Sequence, residues 1–169
     1  MRHLRLSDSN VSGSDELSGN LLRSFIPFLF PVILNICNAS LSSSKFPEAW
    51  KHSLITPVPK VKNPASPSDF RPISILSEVS KVLERIVWLN FKKYLTDKGI
   101  RDQYQFGFVE GCSTQIALIR IVDDVRSAVD KRMIAILVSL DFTKAFDTVD
   151  HALLLGILAK LGCSNSVLG

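Results

Sequence analysis

The stretch Met133-Ile-Ala-Ile-Leu-Val-Ser-Leu-Asp141-Phe-Thr-Lys-Ala-Phe146-Asp147-Thr-Val-Asp150-His151 decides how the rest of the chain is read. Its first eight residues form an almost unbroken apolar run with β-branched members, the pattern of a central strand buried on both faces. The run delivers a carboxylate, Asp141, to its own C-terminal end. An aspartate there is costly to desolvate alone, so it calls for a cation, a donor cluster or an exit to solvent. A metal ion that handles phosphates is the first candidate, and a strand-end acid bonded to backbone amides is the plain alternative. Asp147 precedes, and Asp150 begins, a helix expected from about Val149 to Leu161 and closed by Gly162. Asp147 suits its N-cap, and Asp150 its first turn, where an acid offsets the helix dipole. His151 has no partner at ligand spacing and reads as a surface or cap residue.

The chain has 169 residues, 46% hydrophobic and 21% charged, which suits one domain with a real core and argues against wholesale disorder. Its formal charge of +4 is unevenly placed: between Lys45 and Arg101 eleven Lys/Arg face five Asp/Glu, a net +6, and the remainder carries −2. A basic middle section beside an acidic strand end suits a polyanion with a divalent metal; the bland alternative is a solvated surface. Cys37, Cys112 and Cys163 are far apart with no C-x-x-C pair, so neither a zinc site nor a disulfide framework is expected. A reduced, intracellular chain fits this usage, with nucleus and cytoplasm undecided. The apolar segment Phe25 to Cys37 spans 13 residues and holds Pro27 and Pro31. A membrane span needs about 20 apolar residues, so a core helix opened by Pro27, and no membrane, is expected.

Residues 1–12 are polar, Ser-rich and expected to be frayed. Ser12-Gly-Ser-Asp15 matches a capping box for a short helix through Leu21 and Leu22, and a second helix is expected from Phe28 to about Leu41. Between Trp50 and Ile73, two proline-bearing extended arms flank the turn-rich Lys60-Val-Lys-Asn-Pro-Ala-Ser-Pro-Ser-Asp69, which reads as a hairpin presenting lysines. Leu76, Val79, Leu83, Ile86, Val87, Phe91 and Tyr94 mark a helix over about 75–95, stopped by Gly99. Thr114 is expected to cap another helix, with Ala117, Leu118, Ile121, Val122, Val125 and Val129 as its buried stripe.

With these elements in place, the chain resembles the reverse transcriptases of non-LTR (LINE-type) retrotransposons. The segment from Asp141 to His151 is similar to the first palm motif of that family. Phe70-Arg71-Pro72-Ile73-Ser74, continuing through Ser80-Lys81-Val-Leu-Glu84, resembles its fingers motif, and Gln105-Phe-Gly107-Phe108 with Gly111 and Ser113-Thr114 resembles the next. Phe46-Pro47-x-x-Trp50-Lys51 and Pro59-Lys60 are similar to the segment leading into the fingers, and residues 15–41 to the helical region ahead of it. The resemblance implies an α+β fold: mainly helical fingers with a β-hairpin, plus a partial palm sheet, a truncated right-hand polymerase. On that pattern residues 1–12 are a flexible start, 13–132 the lead-in and fingers, and 133–169 the first part of the palm.

The same resemblance implies roles. Asp141 would be the catalytic carboxylate that binds magnesium (two ions in the complete enzyme), assisted by the Phe142 carbonyl. Phe146 would lie under the nucleotide sugar as a steric gate. Lys60, Lys62 and Arg71 would hold the triphosphate, and Gln105, Gly107, Phe108, Gly111, Ser113 and Thr114 would lie along the template or primer. RNA template, DNA primer and deoxynucleotide triphosphates are the implied partners. Two departures stand out: Val109-Glu110 occupies positions where the family commonly has basic residues, and no aromatic-Ala-Asp-Asp motif or thumb follows within these residues. The expectation is a truncated piece, inactive alone, with a non-catalytic nucleic-acid-binding or interaction module as the alternative. A phosphatase with an aspartyl nucleophile ranks last, because Thr143 stands where its second acid would be.

Overall fold

In the computed structural model, described over residues 6–100 and 102–168, the chain runs α1 (Gly19–Ser43), β1 (Leu54–Pro59), β2 (Phe70–Ile75), α2 (Glu78–Asp97), α3 (Thr114–Asp130), α4 (His151–Lys160) and α5 (Asn165–Leu168). This is a mixture of helices with one small antiparallel sheet. Two compact units are present: residues 1–93 with 157–169, and residues 94–156.

In the first unit α1 begins at Ser18, whose hydroxyl accepts the Leu21 N–H at 3.3 Å. The capping box expected at Ser12 to Asp15 starts no helix; Ser12 instead pairs with Ser18 in a short antiparallel bridge. The two helices expected on either side of residue 28 are one, and it passes through Pro27 and Pro31. Each proline removes one i→i−4 hydrogen bond. Tertiary packing overrides that loss, because Leu22, Ile33 and Cys37 on one face of α1 join Val79, Val82 and Leu83 of α2 in a single core. Partly buried Leu17, Ile26, Leu29, Trp50 and Ile86 extend it. Helical continuity also removes the length argument against a membrane span: α1, at 25 residues, is long and apolar enough to cross one by length and composition. Burial pushes the Cys37 thiol above its ordinary range, and all three cysteines are free.

Of the N-terminal stretch expected to be frayed, residues 1–5 lie outside the described residues. Leu6 is buried, and the Ser7 N–H donates to Glu78 Oε2 at 3.1 Å. Two glycines permit this docking. A Cβ on Gly13 would lie 2.8 Å from the Ser77 nitrogen, and one on Gly19 would lie 2.2 Å from the Ser7 carbonyl oxygen. Glu78, the first residue of α2, is itself buried and pairs with Lys81. Burial works to raise its carboxyl, but hydrogen bonds from Lys81 and the Ser7 amide outweigh this and hold it below the ordinary range.

In the second unit, burial fails. No described residue from 102 to 156 is buried, and the stripe expected to be covered on α3 is open at Leu118, Ile121, Val122, Val125 and Val129. The strand expected over 133–141 is not formed, and the only sheet among the described residues is β1–β2. Ile134 is 90% exposed and Leu140 83%. The physical reason is the absence of a neighbour, since an apolar run becomes a central strand only when other strands take its N–H and C=O groups. At α4 the cap is Asp150, whose Oδ1 accepts the Leu153 N–H at 3.0 Å, and not Asp147 as expected.

Gly13→Ala and Gly19→Ala should each destabilise the fold by about 1–3 kcal/mol through overpacking. Gly107→Ala, where nothing lies within 4 Å, should be neutral by chemical denaturation. Glu78 should contribute stability above its ordinary value of 4.5 that is lost as pH falls through its lowered folded value. Denaturation midpoints across pH 3–6 in wild type and Glu78→Gln check this, the variant losing the dependence.

Candidate functional site

The β1–β2 hairpin is built so that its prolines do no harm. Register pairs Val58 with Arg71, Pro57 with Pro72 and Pro59 with Phe70. Just beyond, the Lys60 N–H donates to the Asp69 carbonyl at 2.7 Å. Hydrogen-bonded pairs alternate from that point, so Val58–Arg71, Thr56–Ile73 and Leu54–Ile75 carry the ladder. Pro57, Pro59 and Pro72 all fall in the outward-facing set, where no ladder donor is missed. They also blunt both edges of the ribbon against further pairing.

Asp69 holds the tip. Its Oδ2 accepts the N–H groups of Ala65 and Ser66, both at 2.9 Å, and these bonds hold its carboxyl below the ordinary range. Lys60 Nζ donates to the Ser68 carbonyl at 2.9 Å, closing the loop across its base. An ammonium has three donors, so this bond leaves Lys60 able to take a further acceptor. Lys60, Lys62 and Arg71 are all exposed, and all belong to the first unit.

The remaining expected site residues lie in the second unit. The Gln105 side chain donates to the Gly107 carbonyl at 3.2 Å, folding its loop back on itself. Gly111 has φ +79°, a conformation that favours glycine, whereas Gly107 has nothing within 4 Å of a would-be Cβ among the described residues. Ser113, and not Thr114, caps α3, its hydroxyl accepting the Ile116 N–H at 3.3 Å. Phe108 stands at φ +60° and is 88% exposed; its ring meets that of Phe146 edge-on, with centroids 6.3 Å apart. Residues more than thirty positions apart, one in each of two motifs, are thereby brought together.

Between Asp141 and Phe146 the chain turns at Lys144, which has φ +51° and whose carbonyl accepts the N–H groups of Asp147 (2.9 Å) and Thr148 (3.1 Å). Asp141 and Phe142 are exposed. Among the described residues no three His, Cys, Asp or Glu side chains group to hold a metal. The Asp141 carboxylate and Phe142 carbonyl suit magnesium chemically, but they are too few for a two-ion centre.

One feature escaped sequence reading. Tyr104 and Phe106 from the loop, with Ile116, Ile119 and Arg120 of α3, line a depression of about 340 Å³. The Arg120 guanidinium lies 5.5 Å from the centroid of the Tyr104 ring. The Asp102-x-Tyr104 turn, in which Asp102 Oδ1 accepts the Tyr104 N–H at 2.8 Å, was the available signal.

Residues 58–168 match the reverse transcriptase (RNA-dependent DNA polymerase) family. Over 149 residues the chain is 31% identical to a probable RNA-directed DNA polymerase from transposon X-element of Drosophila melanogaster, a match covering 88% of this chain and 16% of that protein. It is 35% identical over 127 residues to a probable RNA-directed DNA polymerase from transposon BS of the same species, covering 75% and 14%. To the RNA-directed DNA polymerase from mobile element jockey, again of Drosophila melanogaster, it is 31% identical over 160 residues, covering 92% and 17%. The chain therefore spans 14–17% of the length of these relatives.

Asp69→Ala should release the hairpin tip. Amide exchange at Ala65, Ser66 and Lys60 should accelerate, while exchange at Val82 and Leu83 stays unchanged, as read by hydrogen exchange.

Proposed function

The chain belongs to the reverse transcriptase family of non-LTR retrotransposons, and from that premise we propose that it supplies the fingers and the first palm segment of an RNA-directed DNA polymerase. The observation that carries the reading is the conjunction of a lysine-bearing, proline-blunted hairpin with the Asp141 motif inside the matched residues 58–168. Members of this family use divalent metal ions. In this reading Asp141, with the Phe142 carbonyl, contributes to magnesium binding in the parent enzyme, which takes two ions. Arg71 grips triphosphate oxygens as a planar fork, and Lys60 and Lys62 act as point charges. Phe146 lies under the sugar and excludes a 2′-hydroxyl. The loop from Gln105 to Thr114 follows the template or primer backbone, with Gly107 leaving room for a close approach.

The run 134–142 becomes a palm strand when further palm strands pair with it. Its exposed apolar side chains and unpaired backbone support this assignment. Among the described residues Asp141 has no grouped carboxylates beside it, so the function assigned to this chain by itself is nucleic-acid binding. α1 is read as a core helix, because Leu22, Ile33 and Cys37 are buried against α2.

Two experiments test the proposal. Residues 58–168 grafted in place of the matching segment of the jockey polymerase should support primer extension on an RNA template, and Asp141→Asn in that chimera should reduce extension to background. Unchanged extension by the Asp141→Asn chimera would remove Asp141 from the chemistry. The chain alone should bind single-stranded RNA with an affinity that falls with salt. Lys60→Ala/Lys62→Ala/Arg71→Ala should lower the salt slope by about 2, at roughly 0.7 per phosphate contact.

A further inference from the structure

The depression beside α3 has a composition that a phosphate would not choose and an unpaired base would. The charge of its one cation, Arg120, is offset by carboxylates: Nε lies 3.4 Å from Asp124 Oδ2 one turn along the helix, and the guanidinium sits over Tyr104. Asp123 adds a carboxylate to the lining and Gln103 an amide. Negative charge at this place repels a phosphate. A carboxylate and an amide instead complement the amino and ring-nitrogen edge of a base.

The remaining lining is flat or apolar. Tyr104 is 58% exposed, so part of its π surface stays open beside a guanidinium that pairs with Asp124. Aromatic rings and arginine planes are the surfaces on which splayed-out bases stack in single-strand recognition. The volume of about 340 Å³ is at the small end of ligand cavities, the right scale for one ring system rather than a chain segment. Tyr104 immediately precedes the loop from Gln105 to Thr114, and Phe106 belongs to it.

We infer that the Tyr104–Arg120 depression is a stacking site for one unpaired nucleobase of a single-stranded nucleic acid, with Asp123 and Gln103 meeting the edge of the base. This rests on the nucleic-acid reading of the neighbouring loop and adds to it a base-recognising pocket. Because stacking is not ionic, the pocket contributes affinity without contributing to the salt dependence.

Fluorescence anisotropy with labelled RNA of about 12 nucleotides, single-stranded and duplex, tests the site in the whole chain. Tyr104→Leu should weaken single-strand binding by about 5- to 100-fold with an unchanged salt slope and little effect on the duplex; Tyr104→Phe should retain affinity. The matching single-stranded DNA assigns the strand: a larger loss on RNA points to the template, and a larger loss on DNA to the primer. In the wild-type chain, a 4-thiouridine probe should crosslink to the peptide holding Tyr104 and Phe106. Unchanged single-strand affinity in Tyr104→Leu, equal losses on single strand and duplex, or crosslinks confined to other peptides would overturn the pocket while leaving the broader reading intact. Absence of any binding by the wild-type chain at low salt would remove both.

Discussion

A strand inside a sheet needs a neighbour on each side, because its backbone donors and acceptors lie in the plane of the sheet while its side chains leave that plane. Residues 134–142 satisfy neither requirement within this chain. Ile134, Ile136, Leu137, Val138, Leu140 and Phe142 are all more than 70% exposed, and no ladder forms there. Burying six such side chains is worth roughly 10 kcal/mol, comparable to the whole stability of an ordinary domain. That is a large driving force for a partner surface. It also accounts for the openness of the second unit, in which α3 presents its amphipathic stripe to solvent.

The first unit shows the opposite case. Its core is small, but each element is tied to another by something specific. Glycines at 13 and 19 let backbones approach, Glu78 accepts from Ser7 and Lys81, and Asp69 holds the hairpin tip. The pairing of Pro57 with Pro72 confines the missing donors to the outer edges, so a ribbon rich in proline still has a full inner ladder. Lys60 is therefore tied back to the Ser68 carbonyl across a loop that Asp69 holds, rather than carried on a loose turn.

Local rules carried well where local energy dominates. The hairpin, the helices at 78–97, 114–130 and 151–160, and the stops at Gly99 and Gly162 all follow from turn chemistry and periodicity. They failed where tertiary contacts outweigh them. Ser12 to Asp15 is a good capping box, yet docking of Gly13 on the Leu76–Ser77 backbone uses that segment otherwise. Pro27 and Pro31 argue for a break, yet packing against α2 carries the helix through. Asp147 and Asp150 are both plausible caps by type; the Asp147 N–H closes the turn on the Lys144 carbonyl, and Asp150 takes the cap. Among site residues, the meeting of Phe108 with Phe146 crosses a distance along the chain that no local pattern encodes, and the Asp102-x-Tyr104 turn marks Tyr104 but not its partner Arg120.

The claim on which most depends is that the Asp141-bearing run has strand chemistry but no strand neighbours in this chain. Native-state amide hydrogen exchange resolved by residue measures it directly. Residues 134–142 should exchange at close to the rate of an unstructured peptide, while Val82 and Leu83 in α2 exchange orders of magnitude more slowly. Protection across 134–142 equal to that of the α2 core would contradict the account.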